Sequence, residues 1–263
     1  MTRDDIVRLA LLSDTHTPAD PDNHYRGFYP YRNLVEAVGR IADDLPDSLV
    51  VAGDVARLVG RTDAYANFKR LMAPIASKRP IHLAIGNHDH RSRFLRAFRK
   101  YTPDIERVED RHVARAYVGP IRLILLDSLM LVNMFPGQLG AGQRRWLERY
   151  LRQCDETPTI LCFHHTVGCG GNDLLDAGAL LDIIRPATKV KALVFGHSHI
   201  INFETIDGIH LINLPAIGYN QTDSQPVGWV DALMTRKGGR FTVRAIGGDR
   251  RLDGYVKQLI WRT

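Results

Sequence analysis

Short apolar runs alternate with longer amphipathic ones along this chain. Ile6–Ser13, Ser48–Ala52, Ile81–Ile85, Thr159–Phe163 and Lys191–Phe195 are brief, and most carry β-branched residues. Each reads as a strand buried on both faces. Between them, Tyr31–Asp44 repeats Leu34, Ala37, Val38 and Ile41 at helical spacing. Ala64–Ala76 does so with Phe68, Leu71 and Met72, and Gln143–Gln153 with Trp146, Leu147, Tyr150 and Leu151. Strand and helix in alternation predict an α/β fold with largely parallel strands. Two hairpins are expected later. Asp207-Gly208 separates Ile200–Ile206 from Ile209–Leu214 and favours a tight I′ turn, and Lys237-Gly238-Gly239 separates Gly228–Thr235 from Arg240–Ala245. Tyr117-Val118-Gly119-Pro120 divides a third pair of strands, and Thr17–Pro30 reads as a long loop after the first strand.

The polar residues fall where this pattern breaks. Asp14-Thr15-His16, Gly53-Asp54, Gly86-Asn87-His88-Asp89, His164-His165 and Gly196-His197-Ser198-His199 each follow one of the five apolar runs directly. Seven of the 11 histidines lie in or beside these clusters. Ligands of open α/β sheets bind beyond the carboxyl ends of the strands. Asp14 to Asp54 spans 40 residues, and Asp54 to Asn87 and His164 to His197 span 33 each. One strand-helix-strand unit takes about 30 or more residues. The clusters are therefore expected on the same edge of the sheet. Asp14/His16 and His197/His199 are i, i+2 pairs, which on extended chain project to one side. Gly53, Gly86 and Gly196 precede ligand-type residues, where close backbone approach is needed.

Asp, Asn and His offer oxygen and imidazole nitrogen with no thiolate, which suits Mn, Fe, Zn or Co. The set is too large for one tetrahedral ion and right for two. Two divalent cations outweigh the carboxylates of Asp14 and Asp54, so such a site attracts phosphate. A pair of cations can hold a hydroxide and clamp the oxygens of an in-line displacement at phosphorus.

Composition narrows the partners. The chain has 263 residues, 44% hydrophobic and 24% charged, as one soluble domain spanning 1–263 would have. No run approaches the roughly 18 apolar residues of a membrane span. Ile6–Leu12 is too short for a leader and contains Arg8. Cys154, Cys162 and Cys169 are too few for a disulfide framework and too irregular for a zinc-thiolate site, which points to reduced thiols in a cytosol. A net charge of +6 favours an anionic partner. The arginines are dispersed, with Arg91, Arg93, Arg96 and Arg99 on one segment and Arg236, Arg240, Arg244, Arg250 and Arg251 near the end, which argues against nucleic acid. A homo-oligomer is left open.

Taken in order, the five blocks resemble the calcineurin-like metallophosphoesterase superfamily: Asp-x-His, Gly-Asp, Gly-Asn-His-Asp/Glu, His and Gly-His-x-His, here from residue 14 to 199. The resemblance implies a four-layer α/β/β/α sandwich of two mixed sheets flanked by helices, with metals at the strand ends. It implies that Asp14, His16, Asp54 and His199 hold one metal, and that Asp54 bridges to a second held by Asn87, His164 and His197. It casts His88 as the group that bonds the phosphoryl oxygen or protonates the leaving oxygen, oriented by Asp89.

Arg57 stands where purple acid phosphatases have a tyrosine ligand, so no tyrosinate–iron colour is expected. The run Val55-Ala56-Arg57-Leu58, Ile85 before the Gly-Asn-His block and Asp89 for Glu depart from protein Ser/Thr phosphatases. The nearest pattern is the cyclic-nucleotide and glycerophosphodiester phosphodiesterase branch. Even there Thr166 replaces the usual Pro after His164-His165, and Leu214-Pro215-Ala216-Ile217-Gly218 leads to Tyr219 and Asn220.

The expected activity is hydrolysis of a small anionic phosphodiester. A nuclease or phosphomonoesterase on the same metals is the alternative, and a non-catalytic scaffold is disfavoured by the complete ligand set. Substrate choice is expected in Thr17–Pro30, through His24, Tyr25, Arg26 and Tyr29, and in Thr166–Asp176, through Asn172 and Asp173.

Overall fold

A computed structural model describes residues 5–101, 104–168 and 170–263. The reading of Cys169 as a free thiol lies outside the described residues; Cys154 and Cys162 are unpaired. The fold is built on two mixed sheets. In the first, β1 (Ile6–Leu12), β2 (Ser48–Val51) and β3 (Ile81–Leu83) run parallel, with Leu9 opposite Ser48 and Leu49 opposite Ile81. Antiparallel β11 (Pro226–Thr235), β12 (Gly238–Gly248) and β13 (Val256–Ile260) extend it beyond β1. The second sheet has the order β4 (Ile105–Val108), β5 (Arg111–Val118), β6 (Ile121–Leu125), β7 (Thr159–Cys162), β8 (Val190–Phe195), β10 (Ile209–Asn213), β9 (Asn202–Ile206). Its centre, β6-β7-β8-β10, is parallel.

The continuous apolar strands follow from the layering. On β1, Leu9 and Leu11 face the second sheet and meet a shared core that includes Leu123, Ile160, Val194 and Ile212. Ala10 and Leu12 face the other way, toward α1 (Pro30–Asp43), α2 (Thr62–Ala76) and α3 (Arg91–Phe98). Leu34, Val38 and Ile41 of α1 and Phe68 and Met72 of α2 complete that outer layer. On the far side α4 (Ala141–Gln153) and α5 (Ala177–Ile184) cover Leu161 and Leu193 with Leu147, Leu151, Leu180 and Ile184. The result is the expected α/β/β/α sandwich. Among the described residues, no helix is long and apolar enough to cross a membrane.

Two expectations need correction. The five apolar runs do not share one sheet: three lie in the first and two in the second. Also, the turn between β11 and β12 is Arg236-Lys237, because Thr235 pairs directly with Gly238. Gly238 serves close packing instead, since a Cβ there would lie 2.2 Å from the Leu259 carbonyl oxygen of β13. The Asp207-Gly208 turn does have both residues at positive φ, 51° and 76°, as a I′ turn requires.

Candidate metal centre

The polar clusters leave the two sheets at a common end and are stitched together by backbone hydrogen bonds. The Asp14 N–H donates to the Gly53 carbonyl (3.1 Å) and that of His16 to the Asp54 carbonyl (3.0 Å). The Gly196 N–H donates to the His164 carbonyl (3.0 Å), and that of Gly218 to the Asp14 carbonyl (2.9 Å). These loops turn sharply. Asp14, His16, Asp54, His197 and His199 all have positive φ, between 42° and 72°. They are half of the ten non-glycine residues in that region among those described. The i, i+2 pairs are therefore not extended, contrary to expectation. Each left-handed residue costs on the order of 1–3 kcal/mol, which the surrounding packing must offset. At Gly86 a Cβ would come within 2.2 Å of the Asp54 amide nitrogen, so only glycine lets these loops meet.

The side chains converge. Asp14 Oδ1 lies 3.3 Å from His199 Nε2 and 3.7 Å from His16 Nε2. The two imidazole nitrogens, His16 Nε2 and His199 Nε2, are 3.1 Å apart. Asp54 Oδ2 lies 3.3 Å from His164 Nε2, 3.8 Å from His16 Nε2 and 3.9 Å from His88 Nε2. Asn87 Oδ1 is 3.0 Å from His164 Nε2 and 3.1 Å from His197 Nδ1. All seven residues named as ligands from the sequence thus meet in one cluster. Asp14–His16–His199 and Asp14–Asp54–His164 are two groupings able to hold a cation, and His16–Asp54–His88 is a third.

The outer atoms of several of these groups are already committed, whereas His16 Nδ1 has no partner. His164 Nδ1–H donates to the Ala52 carbonyl (2.9 Å), His199 Nδ1–H to that of Tyr219 (2.6 Å), and His197 Nε2–H to that of Asn172 (3.0 Å). A carbonyl only accepts, so each bond fixes the tautomer and turns the other ring nitrogen inward as a ligand atom. Asp14 Oδ2 accepts from Ser13 Oγ (2.6 Å) and the His197 N–H (3.0 Å), and Asp54 Oδ1 from the His88 N–H (2.8 Å). Asp14 Oδ1 is buried with no hydrogen-bond partner. An orphaned carboxylate oxygen among inward imidazole nitrogens is what a divalent cation would satisfy.

The protein alone handles this charge unevenly. Burial keeps His16 and His197 neutral, pushing them down to about 3 and about 4. Burial also opposes charge on His164, but Asp54 and Asp14 outweigh it and raise the imidazolium to about 9. Asp14 stays ionised despite burial because His199 and His164 face it, and Asp54 because His164 and His88 do. His165, the neighbour not chosen as a ligand, bonds Ser128 Oγ through Nδ1 at 2.8 Å.

The expected His88–Asp89 pairing is not what the structure has. His88 Nδ1–H donates to the Leu58 carbonyl (2.9 Å), with Leu58 itself at φ 66°. Asp89 turns away and accepts from the N–H groups of Val55 (3.2 Å), Ala56 (3.1 Å) and Gly86 (3.0 Å) and from the Tyr65 hydroxyl (3.1 Å). It clamps two site loops together. Burial and the Asp54 charge push its carboxyl up to about 7. Asp89→Ala leaves those buried donors unmet at about 1–3 kcal/mol each, so a loss of roughly 4 kcal/mol in urea unfolding is expected. A cost below about 1 kcal/mol would contradict the clamp.

A cavity of about 550 Å³ opens over the cluster. From Thr17–Pro30 only Tyr25 lines it, whereas Thr166, Asn172 and Asp173 of the second loop do. Arg57, Leu58, Asn133, Phe135, Tyr219 and Gln221 complete the wall. The sequence reading gave none of these six a place in a substrate pocket. A signal for Phe135 lies in the run Asn133-Met134-Phe135-Pro136-Gly137, where turn residues place an aromatic in a loop.

The model of the calcineurin-like phosphoesterase family matches residues 7–200. The 3′,5′-cyclic adenosine monophosphate phosphodiesterase CpdA of Pseudomonas aeruginosa is 32% identical over 201 residues, covering 73% of this chain and 70% of that protein. The glycerophosphodiester phosphodiesterase GpdQ of Enterobacter lignolyticus is 26% identical over 232 residues, or 83% of this chain and 81% of that one. In fold, a dimetal phosphatase from Danio rerio superposes with a TM-score of 0.78 at 17% identity, covering 97% of this chain and 99% of the other.

Proposed function

Since the chain belongs to the calcineurin-like phosphoesterase family, we propose that it is a phosphodiesterase that uses two divalent cations to hydrolyse a small anionic phosphodiester. Residues 1–263 act in this reading as one metallophosphoesterase domain, in the cytosol. Asp14, His16, Asp54 and His199 hold one cation, and Asp54, Asn87, His164 and His197 hold the other, with Asp54 shared. The observation that carries the reading is the convergence of donor atoms from these seven residues, an orphaned Asp14 oxygen among them, with the outer atoms of Asp14, His164, His197 and His199 tied to Ser13 and backbone. Divalent cations bound there supply Lewis-acid charge to the phosphoryl oxygens and to the attacking water. Mn, Fe, Zn or Co would suit these donors.

The chain's own groups do the rest. The carbonyls of Ala52, Asn172 and Tyr219 hold three imidazoles in the ligand tautomer. The Leu58 carbonyl holds His88 through Nδ1–H and leaves Nε2 beside Asp54 at the cavity, where the imidazolium form carries on Nε2 the proton given to the departing oxygen. Cyclic nucleotides and glycerophosphodiesters, the substrates in the names of two relatives, are the first natural esters to try.

The test is hydrolysis of bis-p-nitrophenyl phosphate with added Mn²⁺, alongside elemental analysis. Absence of turnover on any phosphoester despite bound metal would overturn the reading. His88→Asn should slow turnover about a hundredfold while metal content stays near wild type. An unchanged rate would remove His88 from the chemistry.

A further inference from the structure

Arg57 is the feature of the cavity wall that the metal chemistry leaves unused. Among the described residues that line the cavity, it is the one guanidinium or ammonium group. Its Nη1 donates to Asn23 Oδ1 at 2.5 Å, and its guanidinium carbon sits 4.9 Å from the centre of the Tyr25 ring. Among the described residues no carboxylate lies in ion-pair contact with it. Many of the chain's arginines are treated otherwise: Arg8, Arg91 and Arg122, for example, each pair with an aspartate at 2.8 Å or less. Asp173, the other charged wall residue outside the histidine and aspartate cluster, is engaged in its own loop, where it accepts from the Gly170 N–H at 2.7 Å.

The position of Arg57 is set by its surroundings. Its N–H donates to the Thr17 carbonyl at 3.1 Å, next to the bridge that joins Thr17 and Ala56. A run of rings leads outward to it from the candidate metal centre. The Tyr219 ring stacks 4.7 Å from that of His16, Tyr25 lies 4.7 Å edge-on to Tyr219, and Arg57 covers Tyr25. Arg57 is thus half-buried at the rim, beyond the ligand cluster, with most of its five N–H donors uncommitted.

A guanidinium held over a ring without a carboxylate partner and facing a cavity is a pre-organised partner for the planar fork of a carboxylate or the oxygens of a phosphate. The scissile group is served by the cation site. We therefore propose that Arg57, braced by Tyr25 and Asn23, forms an outer subsite for a second anionic group, a phosphate or carboxylate carried on an alcohol portion of the substrate. This rests on the phosphodiesterase reading above and narrows its substrate class to esters with a negative charge away from the reacting phosphorus, which sets simple cyclic mononucleotides behind diesters that carry a second phosphate or carboxylate.

The test compares two chromogenic diesters that differ by one phosphate: thymidine 5′-(p-nitrophenyl phosphate) and the same compound bearing a 3′-phosphate. Wild-type enzyme with Mn²⁺ should favour the second by about tenfold in kcat/KM, the scale of one charge-assisted hydrogen bond at a half-exposed site. Arg57→Gln should bring that ratio to about one, and Arg57→Lys should keep part of it, the change appearing mainly in KM. A wild-type ratio near one, or a preference that survives Arg57→Gln, overturns the subsite and leaves the phosphodiesterase reading standing. No turnover of either ester overturns both.

Discussion

Asp54→Asn should lower hydrolysis of bis-p-nitrophenyl phosphate at saturating Mn²⁺ by about a thousandfold, since a cation site contributes several kcal/mol to the transition state and each 1.36 kcal/mol is tenfold. The substitution is nearly isosteric, so the loop packing survives: the amide oxygen can still accept from the His88 N–H as Oδ1 does at 2.8 Å. What changes is the Oδ2 position. There an N–H₂ donor would replace a carboxylate oxygen lying 3.3 Å from His164 Nε2 and 3.8 Å from His16 Nε2, within reach of both histidine groups. A donor cannot ligate a cation, and the shared negative charge is lost with it. Bound manganese should fall from about two per chain to one or none, and the rise in melting temperature that metal confers on wild type should shrink accordingly. Full activity in this variant would refute the shared role of Asp54.

Manganese affinity should climb steeply with pH, by about tenfold per unit below pH 9 and by about a thousandfold between pH 6 and pH 9. Without metal, His164 donates from both ring nitrogens, to the Ala52 carbonyl and toward Asn87 Oδ1, and Asp54 and Asp14 raise it to about 9. A cation at Nε2 must displace that proton. The sign follows: the proton is held below about pH 9 and competes with metal there, while above it the competition disappears. His16 and His197 add nothing in this range, being neutral already from about pH 3 and about pH 4 upward. Titrations in buffers of different ionisation heat should report close to one proton released per chain near pH 7. A flat affinity profile from pH 6 to 9 would mean that His164 enters the site unprotonated.

The strands that carry the centre were readable because they are buried on both faces. β1, β2 and β8 have no polar side to blur their boundaries, and their observed limits fall within one residue of those expected. Two of the edge strands were not. β4 and β13 are half exposed and carry mixed sequences, so nothing in Ile105–Val108 or Val256–Ile260 marks a strand until a neighbour supplies its hydrogen bonds. α3 and α5, eight residues each, were missed as well. Asp89 shows the limit of adjacency. It follows His88 directly, yet a sharp turn sends the two side chains apart, one to Leu58 and the other to the amides of Val55, Ala56 and Gly86.

By itself the chain's order of residues determined which groups have the chemistry of a cation site, because oxygen and imidazole donors sit where apolar strands end and nowhere else in such density. It also determined the α/β character, through periodicities that any local segment expresses alone. The three-dimensional packing decided what depends on distant partners. The two sheets face each other over a shared core, bringing Asp54 of the first within 3.3 Å of His164 of the second. Left-handed turns at Asp14, His16 and His199 point those side chains inward, and the same packing leaves Arg57 at the rim with no counter-ion among the described residues. Such features are set by the balance of burial, strain and charge between segments far apart in the chain, and no window of sequence contains that balance.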